Sequence, residues 1–297
     1  MRWRGRRQSD NVEDRRGMSP RAAVGGGGSA LMIIGVLVVG RMMGCDPGQI
    51  QQAVNVAQQV QQQGGAPAEV PAGADAGIDD EASQFIAVVL ADTEEVWTDI
   101  FRSELRKPYE KPMLVIFENQ VSTRGCGNAG AATGPFYCPA DQKIYVPPSF
   151  FDALARRHKS PGDFAQAYVI AHEVAHHVQN VLGLNQKLQK ARRSGDEGVV
   201  NQLSVRLELQ ADFLAGVWAH HAHREFDILE DGDIEEAIQA ASQIGDDRLQ
   251  IEAQGYTMPE RYTHGTSDQR VRWFKRGMRS GDVNECLLLA EVAYEEL

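Results

Sequence analysis

The sequence has 297 residues, which is long enough for one sizeable domain with additional segments. Its formal net charge is −11, yet arginines are concentrated at its start, at Arg2, Arg4, Arg6, Arg7, Arg15, Arg16 and Arg21. An acidic chain whose basic residues crowd one end is not expected to bind nucleic acid. The charge pattern indicates a membrane topology instead.

An apolar run at residues 29–44, together with the glycines before it, approaches the roughly 20 residues needed to span a bilayer. Because arginines precede this run, we expect a basic cytoplasmic segment at residues 1–24, a transmembrane anchor at residues 25–44, and the rest of the chain outside the cytoplasmic membrane. Two alternatives stay open. The segment could be a cleaved signal peptide, although no Ala-x-Ala site follows it, or Cys45 could be lipidated, although the residues before Cys45 fit a lipidation motif poorly.

The composition changes again after this segment. Residues 45–78 are rich in Gln, Ala, Gly and Pro and cannot bury enough apolar surface to fold alone, so we expect a flexible linker. In the remaining part, residues 79–297, apolar side chains recur at helical spacing over residues 82–105. Short apolar runs at residues 113–117 and 143–146 predict two strands. The fold class is therefore α+β, a mostly helical domain with a small sheet.

The cysteines fit an exported domain. Cys126 and Cys138 bracket a short glycine-rich loop, and a disulfide that closes it would contribute roughly 3 kcal/mol to stability. A second metal site is the rival interpretation, although the two cysteines are too far apart for a paired-cysteine zinc knuckle. Cys286 is either unpaired or competes for one of them. We expect the pair Cys126–Cys138.

The most informative motif is the sequence His-Glu-Val-Ala-His at residues 172–176. On a helix, His172 and His176 lie one turn apart on the same face, so both imidazoles can bind one zinc ion. Glu173 lies beside them, where a general base for a metal-activated water is expected. A pattern of five residues can occur by chance, but helix-spaced apolar residues surround this one and no proline interrupts residues 162–183.

A third ligand is expected from a second helix, predicted at residues 196–221. Glu208 and Asp212 lie four residues apart there, so both carboxylates can approach the same site from one side. We expect Glu208 to bind the metal and Asp212 to accept a hydrogen bond from the outer ring nitrogen of His172. Two histidines and one glutamate are the ligands of the gluzincin class of metallopeptidases, which keep one zinc position open for water.

With these motifs, the chain resembles the bacterial family of putative neutral zinc metallopeptidases. The resemblance rests on residues 11–17, 134–141, 172–180, 208–218 and 264–270, and so extends over nearly the whole chain. One departure is Val146-Pro147-Pro148, where an aspartate is expected. The family resemblance implies one membrane segment, a zincin-like domain that binds Zn²⁺, and a protein or peptide substrate whose extended backbone pairs with an edge strand.

Two further residues are assigned by resemblance. His264 and Arg270 resemble a late His and Arg, six residues apart, that lie over the cleft in related membrane-associated gluzincins. His264 would then donate a hydrogen bond to the oxyanion of the tetrahedral intermediate, and Arg270 would orient a carboxylate or help to hold the site. The alternative for His264 is that it caps a final helix beginning near Ser267. His220, His221 and His223 are interpreted as solvated or capping residues rather than a second metal site.

These observations predict a membrane-anchored zinc endopeptidase in which Glu173 takes a proton from water and passes it to the leaving amine. Two other functions remain open. One is a zinc-containing binding or chaperone-like domain without turnover, which would not require Glu173. The other is a small-molecule amidase or deacetylase that uses the same chemistry. The sequence gives no indication of the oligomeric state.

Overall fold

The computed structural model describes residues 1–17, 80–158, 162–288 and 292–297. Its strands are β1 (Val12–Asp14), β2 (Met113–Ile116), β3 (Gln120–Ser122), β4 (Asn128–Gly130), β5 (Phe136–Cys138) and β6 (Lys143–Val146). Its helices are α1 (Glu81–Ile100), α2 (Ser149–His158), α3 (Asp163–Leu182), α4 (Gln186–Ser194), α5 (Glu197–Phe226), α6 (Asp233–Gln243), α7 (Asp246–Gln254), α8 (Ser267–Ser280) and α9 (Glu285–Leu288). The α+β class, mostly helical with a small sheet, is confirmed.

The main sheet has four strands in the order β1-β2-β6-β5. Strand β2 pairs in parallel with both β1 and β6, whereas β5 pairs antiparallel with β6 and forms one edge. Strands β3 and β4 form a separate antiparallel pair. The two predicted strands are confirmed as β2 and β6, the central strands of the sheet. The last three residues of each are buried, as expected for a strand covered on both faces.

The start of the chain packs against the residues that follow position 79. Residues 1–17 belong to the same compact unit as the described residues from Asp80 onward. Strand β1 pairs in register with β2, with Val12 opposite Leu114, and the side chain of Trp3 is buried in the main core. Arginines of this segment pair with carboxylates of the domain, as in the contact of 2.7 Å between Arg6 and Asp92 on α1.

The predicted anchor at residues 25–44 and the predicted linker at residues 45–78 lie outside the described residues, as does Cys45. Among the helices that the structure does describe, none is long and apolar enough to cross a membrane. The first predicted helix, at residues 82–105, is confirmed as α1 with a π-helical continuation at Phe101–Leu105. Asp80 caps α1 by accepting a hydrogen bond from the backbone N–H of Ser83.

Helices α3, α5 and α8 form the centre of the helical core. Helices α5 and α8 approach each other closely at two glycines, because a Cβ atom at Gly277 would lie 1.9 Å from the carbonyl oxygen of Phe213, and one at Gly216 would lie 2.2 Å from that of Phe274. Only glycine permits this backbone contact. The contact fixes α8 against α5, and it thereby brings Arg270 next to the residues of α5 that face α3.

Candidate metal centre

The histidine pair is carried by α3. This helix of 20 residues ends at Gly183, whose left-handed conformation (φ 74°) terminates it as expected for a helix C-cap. The rings of His172 and His176 face the same side, with centroids 4.8 Å apart. The predicted placement of both imidazoles on one face of a helix is therefore confirmed.

Glu208 reaches the same point from α5. Its carboxylate lies 3.1 Å from Nε2 of His172 and 3.5 Å from Nε2 of His176. The three ligand atoms all lie within 4.8 Å of one another. The side chains of His176 and Glu208 keep about a fifth of their surface exposed, so the site is open to solvent on one side. The predicted ligand set of two histidines and a glutamate is thus assembled from two helices.

The outer ring nitrogens show that this arrangement suits a zinc ion. Nδ1 of His172 lies 2.9 Å from a carboxylate oxygen of Asp212, and Nδ1 of His176 lies 2.9 Å from the amide oxygen of Gln179. With a hydrogen held on each Nδ1, each Nε2 beside Glu208 is the nitrogen that can lose its proton and bind a metal ion. Asp212 thus lies where the predicted hydrogen bond from His172 requires it. Gln179 was missed, although its position three residues after His176 places it on the same face of the helix.

Asp212 is itself held by two buried side chains. Arg270 donates to both of its carboxylate oxygens, from Nε at 2.9 Å and from Nη2 at 3.0 Å, and the hydroxyl of Tyr168 donates a short hydrogen bond to it. Arg270 is only 1% exposed. It therefore lies behind the site and does not reach a substrate in the cleft. Of the two roles expected for Arg270, the structure supports holding the site. Tyr168 was not recognised in the sequence as part of this network.

The charges at the site shift the pKa values of its members. Burial lowers the pKa of His172, but the charge of Asp212 and hydrogen bonds to Asp212 and Glu208 outweigh burial and raise the pKa to about 9. Burial likewise lowers the pKa of His176, and the charge of Glu208 reverses the effect so that it is raised. Burial raises the pKa of Glu208, but the two histidines bring it well below its usual range. Zinc would replace protons here, so its binding should release protons.

Glu173 lies next to His172 on α3 and is largely buried, with 9% of its surface exposed. Its charge is among those that raise the pKa of His176, so its carboxylate is within electrostatic reach of the ligands. In the described part of the chain, no side chain or backbone group forms a hydrogen bond with this carboxylate. It is therefore available to a water molecule or to a bound substrate, as a general base must be.

His264 lies in the loop before α8, and the structure excludes the capping alternative. Helix α8 begins at Ser267 as predicted, but its N-cap is Thr266, which forms a capping box with Gln269. Nδ1 of His264 instead lies 3.1 Å from the carboxylate of Asp246, and about half of its side chain is exposed. The charge of Glu208 is one of those that raise the pKa of His264, which is consistent with a position beside the metal centre.

The remaining histidines on these helices have structural partners. Nε2 of His177 contacts the backbone oxygen of Glu110, and its Nδ1 contacts the hydroxyl of Tyr137. His220 and His221 contact the backbone oxygens of Met278 and Gly281 near the end of α8. His220 and His221 thus join the end of α5 to the end of α8.

A second group of carboxylates lies at the other end of α3. Asp163, Asp233 and Glu236 bring one oxygen each within 4.8 Å of one another. The α-ammonium group of Met1 already lies 2.5 Å from Asp163 and 3.4 Å from Asp233. These carboxylates therefore have a cationic partner within the chain, which connects the start of the chain to the helix of the metal centre.

The predicted disulfide between Cys126 and Cys138 is present, with the two Cα atoms 5.9 Å apart. It ties the loop after β3 to the edge strand β5. Cys286 is buried and has a free thiol. The interpretation of Cys126 and Cys138 as a second metal site is therefore wrong, and Cys286 does not compete for either of them.

Comparison with known proteins gives a consistent family. The family described as "Putative neutral zinc metallopeptidase" matches residues 1–288. The uncharacterized protein YpfJ of Escherichia coli K12 is 44% identical over 293 residues, which are 96% of this chain and 98% of that protein. The uncharacterized protein Rv2575 of Mycobacterium tuberculosis H37Rv is 43% identical over 188 residues, 60% of this chain and 62% of the relative. No solved structure matches the chain. The family match includes both residues 1–17 and every residue of the metal centre.

Proposed function

The chain belongs to the putative neutral zinc metallopeptidase family, and from this premise we propose that it is a zinc-dependent endopeptidase. The observation that carries the proposal is the convergence of Nε2 of His172, Nε2 of His176 and the Glu208 carboxylate beside an unpaired Glu173. A site that only stabilised the fold would not need a buried carboxylate next to the ligands. The presence of Glu173 therefore favours catalysis over a binding or chaperone-like role.

Each residue has a distinct role in the proposed reaction. His172, His176 and Glu208 would hold Zn²⁺, which would supply a Lewis acid for activating water and polarising a carbonyl group. Glu173 accepts a proton from the water as the water oxygen bonds to the carbonyl carbon, and it then gives that proton to the nitrogen of the leaving amine as the C–N bond breaks. His264 donates a hydrogen bond to the oxygen that carries the developing negative charge.

A peptide is the substrate class that the sheet supports best. Strand β5 is an edge strand, and it lies against α3 because the hydroxyl of Tyr137 contacts both His177 and Asn180. An extended peptide can add to such an edge through backbone hydrogen bonds, independently of its side chains. A small-molecule amidase would use the same metal chemistry but would gain nothing from an edge strand next to the active-site helix.

Profiling a diverse peptide library by mass spectrometry tests the proposal directly. The full-length protein is loaded with zinc and compared with Glu173→Gln, which keeps the ligands and the shape of the side chain but removes the base. We expect cleavage by the first protein and none by the second, with equal zinc content. Equal cleavage by both proteins would contradict the mechanism. No cleavage by either, with zinc bound, would favour the binding or chaperone-like alternative.

The cellular location is a separate proposal. Strand β1 precedes residues 25–44 in the sequence and β2 follows them, so a single crossing there would place two paired strands on opposite sides of a membrane. We therefore propose that residues 1–17 and the residues from 80 onward share one side, and that attachment through residues 25–44 does not separate them. The disulfide Cys126–Cys138 supports the outer side of the cytoplasmic membrane, because disulfides persist in oxidising compartments.

Labelling with a membrane-impermeant maleimide tests this location. Single cysteines are introduced at the exposed residues Asp10 and Tyr256 in a Cys45→Ser background, and intact cells are compared with permeabilised cells. We expect both positions to be labelled in intact cells. Labelling of Tyr256→Cys alone would show that one crossing separates the two segments. Labelling of both only after permeabilisation would place the whole domain inside.

A further inference from the structure

Asp246, the first residue of α7, accepts four hydrogen bonds, all from the loop at residues 263–265. One of its oxygens accepts hydrogen bonds from the backbone N–H groups of Thr263, His264 and Gly265, at 2.6, 2.6 and 3.1 Å. Its other oxygen lies 3.1 Å from Nδ1 of His264. The backbone N–H of Asp246 donates in return to the oxygen of Gly265. One residue thus holds both the backbone and the imidazole of His264.

The loop that Asp246 holds is seated against the helix that carries Glu208. Gly265 has a positive φ of 88°, and a Cβ atom built on it would lie 3.3 Å from side-chain atoms of both Val205 and Leu209. These two residues flank Glu208 on α5. The backbone of His264 is therefore fixed close to a metal ligand, and its position depends on the clamp that Asp246 provides.

We infer that Asp246 is a positioning residue of the site, whose carboxylate holds His264 by Nδ1 so that Nε2 serves a group bound in the cleft beside Glu208. This inference rests on the proposed peptidase function. A hydrogen on Nδ1 is shared between the Asp246 carboxylate and the hydroxyl of Thr263, which lies 3.0 Å away. Nε2 is then left for a bound substrate, and an ionised Asp246 favours the charged imidazole, which donates from Nε2 to a developing oxyanion.

The ionisation of the pair is consistent with this role. The hydrogen bond to Asp246 is the main reason that the pKa of His264 is raised. Burial raises the pKa of Asp246, but hydrogen bonds from His264 and from the backbone outweigh burial and lower it. The charges of Glu208 and Arg270 also act on His264, in opposite directions. The carboxylate therefore stays ionised and keeps its function as an acceptor.

The adjacent residue provides a matched control. One oxygen of Asp247 accepts hydrogen bonds from the backbone N–H and the hydroxyl of Ser267, at 2.8 and 2.9 Å. Asp247 therefore joins the start of α7 to the start of α8, directly after the loop that carries His264. Asp247 has no contact with the His264 ring in the described residues. Any effect that Asp246→Asn has through the loop alone should also appear in Asp247→Asn.

The first test needs no turnover. In Asp246→Asn, the amide oxygen can still accept the three backbone hydrogen bonds, while the amide NH₂ group faces Nδ1 of His264 and reverses the direction of that bond. Imidazole ¹⁵N spectra are recorded on the zinc-loaded full-length protein at a pH where the His264 ring is neutral, and the His264 signals are assigned with His264→Gln. We expect the hydrogen on Nδ1 in the wild type and in Asp247→Asn. In Asp246→Asn we expect it on Nε2. Identical spectra for the wild type and Asp246→Asn would overturn the inference.

The second test is a double-mutant cycle on peptide hydrolysis. We expect His264→Ala to lower kcat about 100-fold with little change in KM, as for loss of an oxyanion donor, and Asp246→Asn to lower kcat about tenfold. In the His264→Ala background, Asp246→Asn should change kcat less than about twofold, because residues that act through each other are not additive. Full additivity, or an equal loss in Asp247→Asn, would show that Asp246 is only structural. Absence of hydrolysis in the wild type, with the expected spectra, would refute the proposed peptidase function and, with it, the catalytic role of the pair.

Discussion

The metal centre and the N-terminal segment both join parts of the chain that are far apart in sequence, but they do so with different interactions. In the metal centre, His172, Asp212 and Arg270 form one buried network in which every member contacts another. Residues 1–17 are held by many ion pairs with at least one exposed partner, by three residues of strand and by the buried side chain of Trp3.

This difference determines where the stabilising free energy resides. Exposed ion pairs such as Arg4–Glu81, whose side chains are 74% and 68% exposed, contribute little to stability. The segment must therefore be held mainly by Trp3 and by pairing with β2. A buried charge network loses much more when one member is removed, because a charge is left without its partner. The two regions should accordingly respond differently to substitution.

The largest effect is expected from removing the N-terminal segment. Deletion of residues 1–17 takes β1 from the sheet and Trp3 from the core, and loss of a buried tryptophan alone costs about 3–5 kcal/mol. We expect the remaining chain to be unfolded or aggregated, as measured by circular dichroism and thermal melting.

A matched deletion provides the control for this experiment. Arg16 and Asp80 are in contact at 2.6 Å, so the ends of the two described segments are close together. Replacing residues 19–75 with a short Gly/Ser linker should leave the fold and zinc binding intact. If the first deletion folds normally and binds zinc, the N-terminal segment is dispensable and the comparison fails.

The buried network should give the next largest effect. Asp212→Ala leaves Arg270 charged and without its carboxylate, which should destabilise the metal-free protein by about 3–5 kcal/mol in denaturant unfolding. Tyr168→Phe removes one hydrogen bond to the same carboxylate and should cost only about 1.5 kcal/mol. Equal losses in the two variants would argue against a central role for the Asp212–Arg270 pair.

A smaller effect is expected at the outer partner of His176. Gln179 accepts a hydrogen bond from Nδ1 of His176 and donates one to the backbone oxygen of Leu207. It therefore orients one ligand and contacts α5 next to Glu208, the ligand on that helix. We expect Gln179→Ala to weaken zinc binding about 10–100-fold in a chelator competition while the protein stays folded. Asn180→Ala, on the same helix but directed to Tyr137, serves as the control and should leave zinc affinity unchanged.

The smallest effect concerns pH at the contact between the N-terminal segment and α1. Burial is the main cause that raises the pKa of Asp92 to about 7, despite its contact with Arg6. A raised pKa in the folded state favours the protonated carboxyl group. The contribution of Asp92 to the free energy of unfolding is therefore fully present below pH about 4 and is lost as the pH rises to about 7. Asp92→Asn should therefore be more stable than wild type by about 1 kcal/mol at pH 8, with a smaller difference at pH 4.5. A difference that does not depend on pH would contradict this assignment.

The same contrast explains what the sequence could reveal. The ligands were predictable because helical geometry converts the spacing of His172 and His176, and of Glu208 and Asp212, directly into shared faces. Tyr168 and Asp246 were not predictable, because their roles depend on hydrogen bonds between distant segments. Gln179 had a local signal in its helical position, but many polar residues occupy such positions without contacting a ligand.

The N-terminal strand had no comparable signal. Strand β1 consists of Val12, Glu13 and Asp14, too short and too polar for an alternating or apolar pattern to be recognised. An arginine-rich composition also does not reveal the partners of the arginines, which can be lipid headgroups or, as here, carboxylates on α1. Only the three-dimensional arrangement shows that Arg6 and Asp92 are partners. The composition of residues 1–17 therefore does not reveal their place in the sheet.

The most direct test of the central claim, that His172, His176 and Glu208 form one zinc site, is X-ray absorption spectroscopy combined with metal analysis of the full-length protein. The account predicts one zinc ion per chain, coordinated by two imidazoles and a carboxylate, and loss of one imidazole contribution in His176→Ala. Zinc bound with the same coordination in the wild type and in His176→Ala would contradict it, because the metal would then reside elsewhere in the chain.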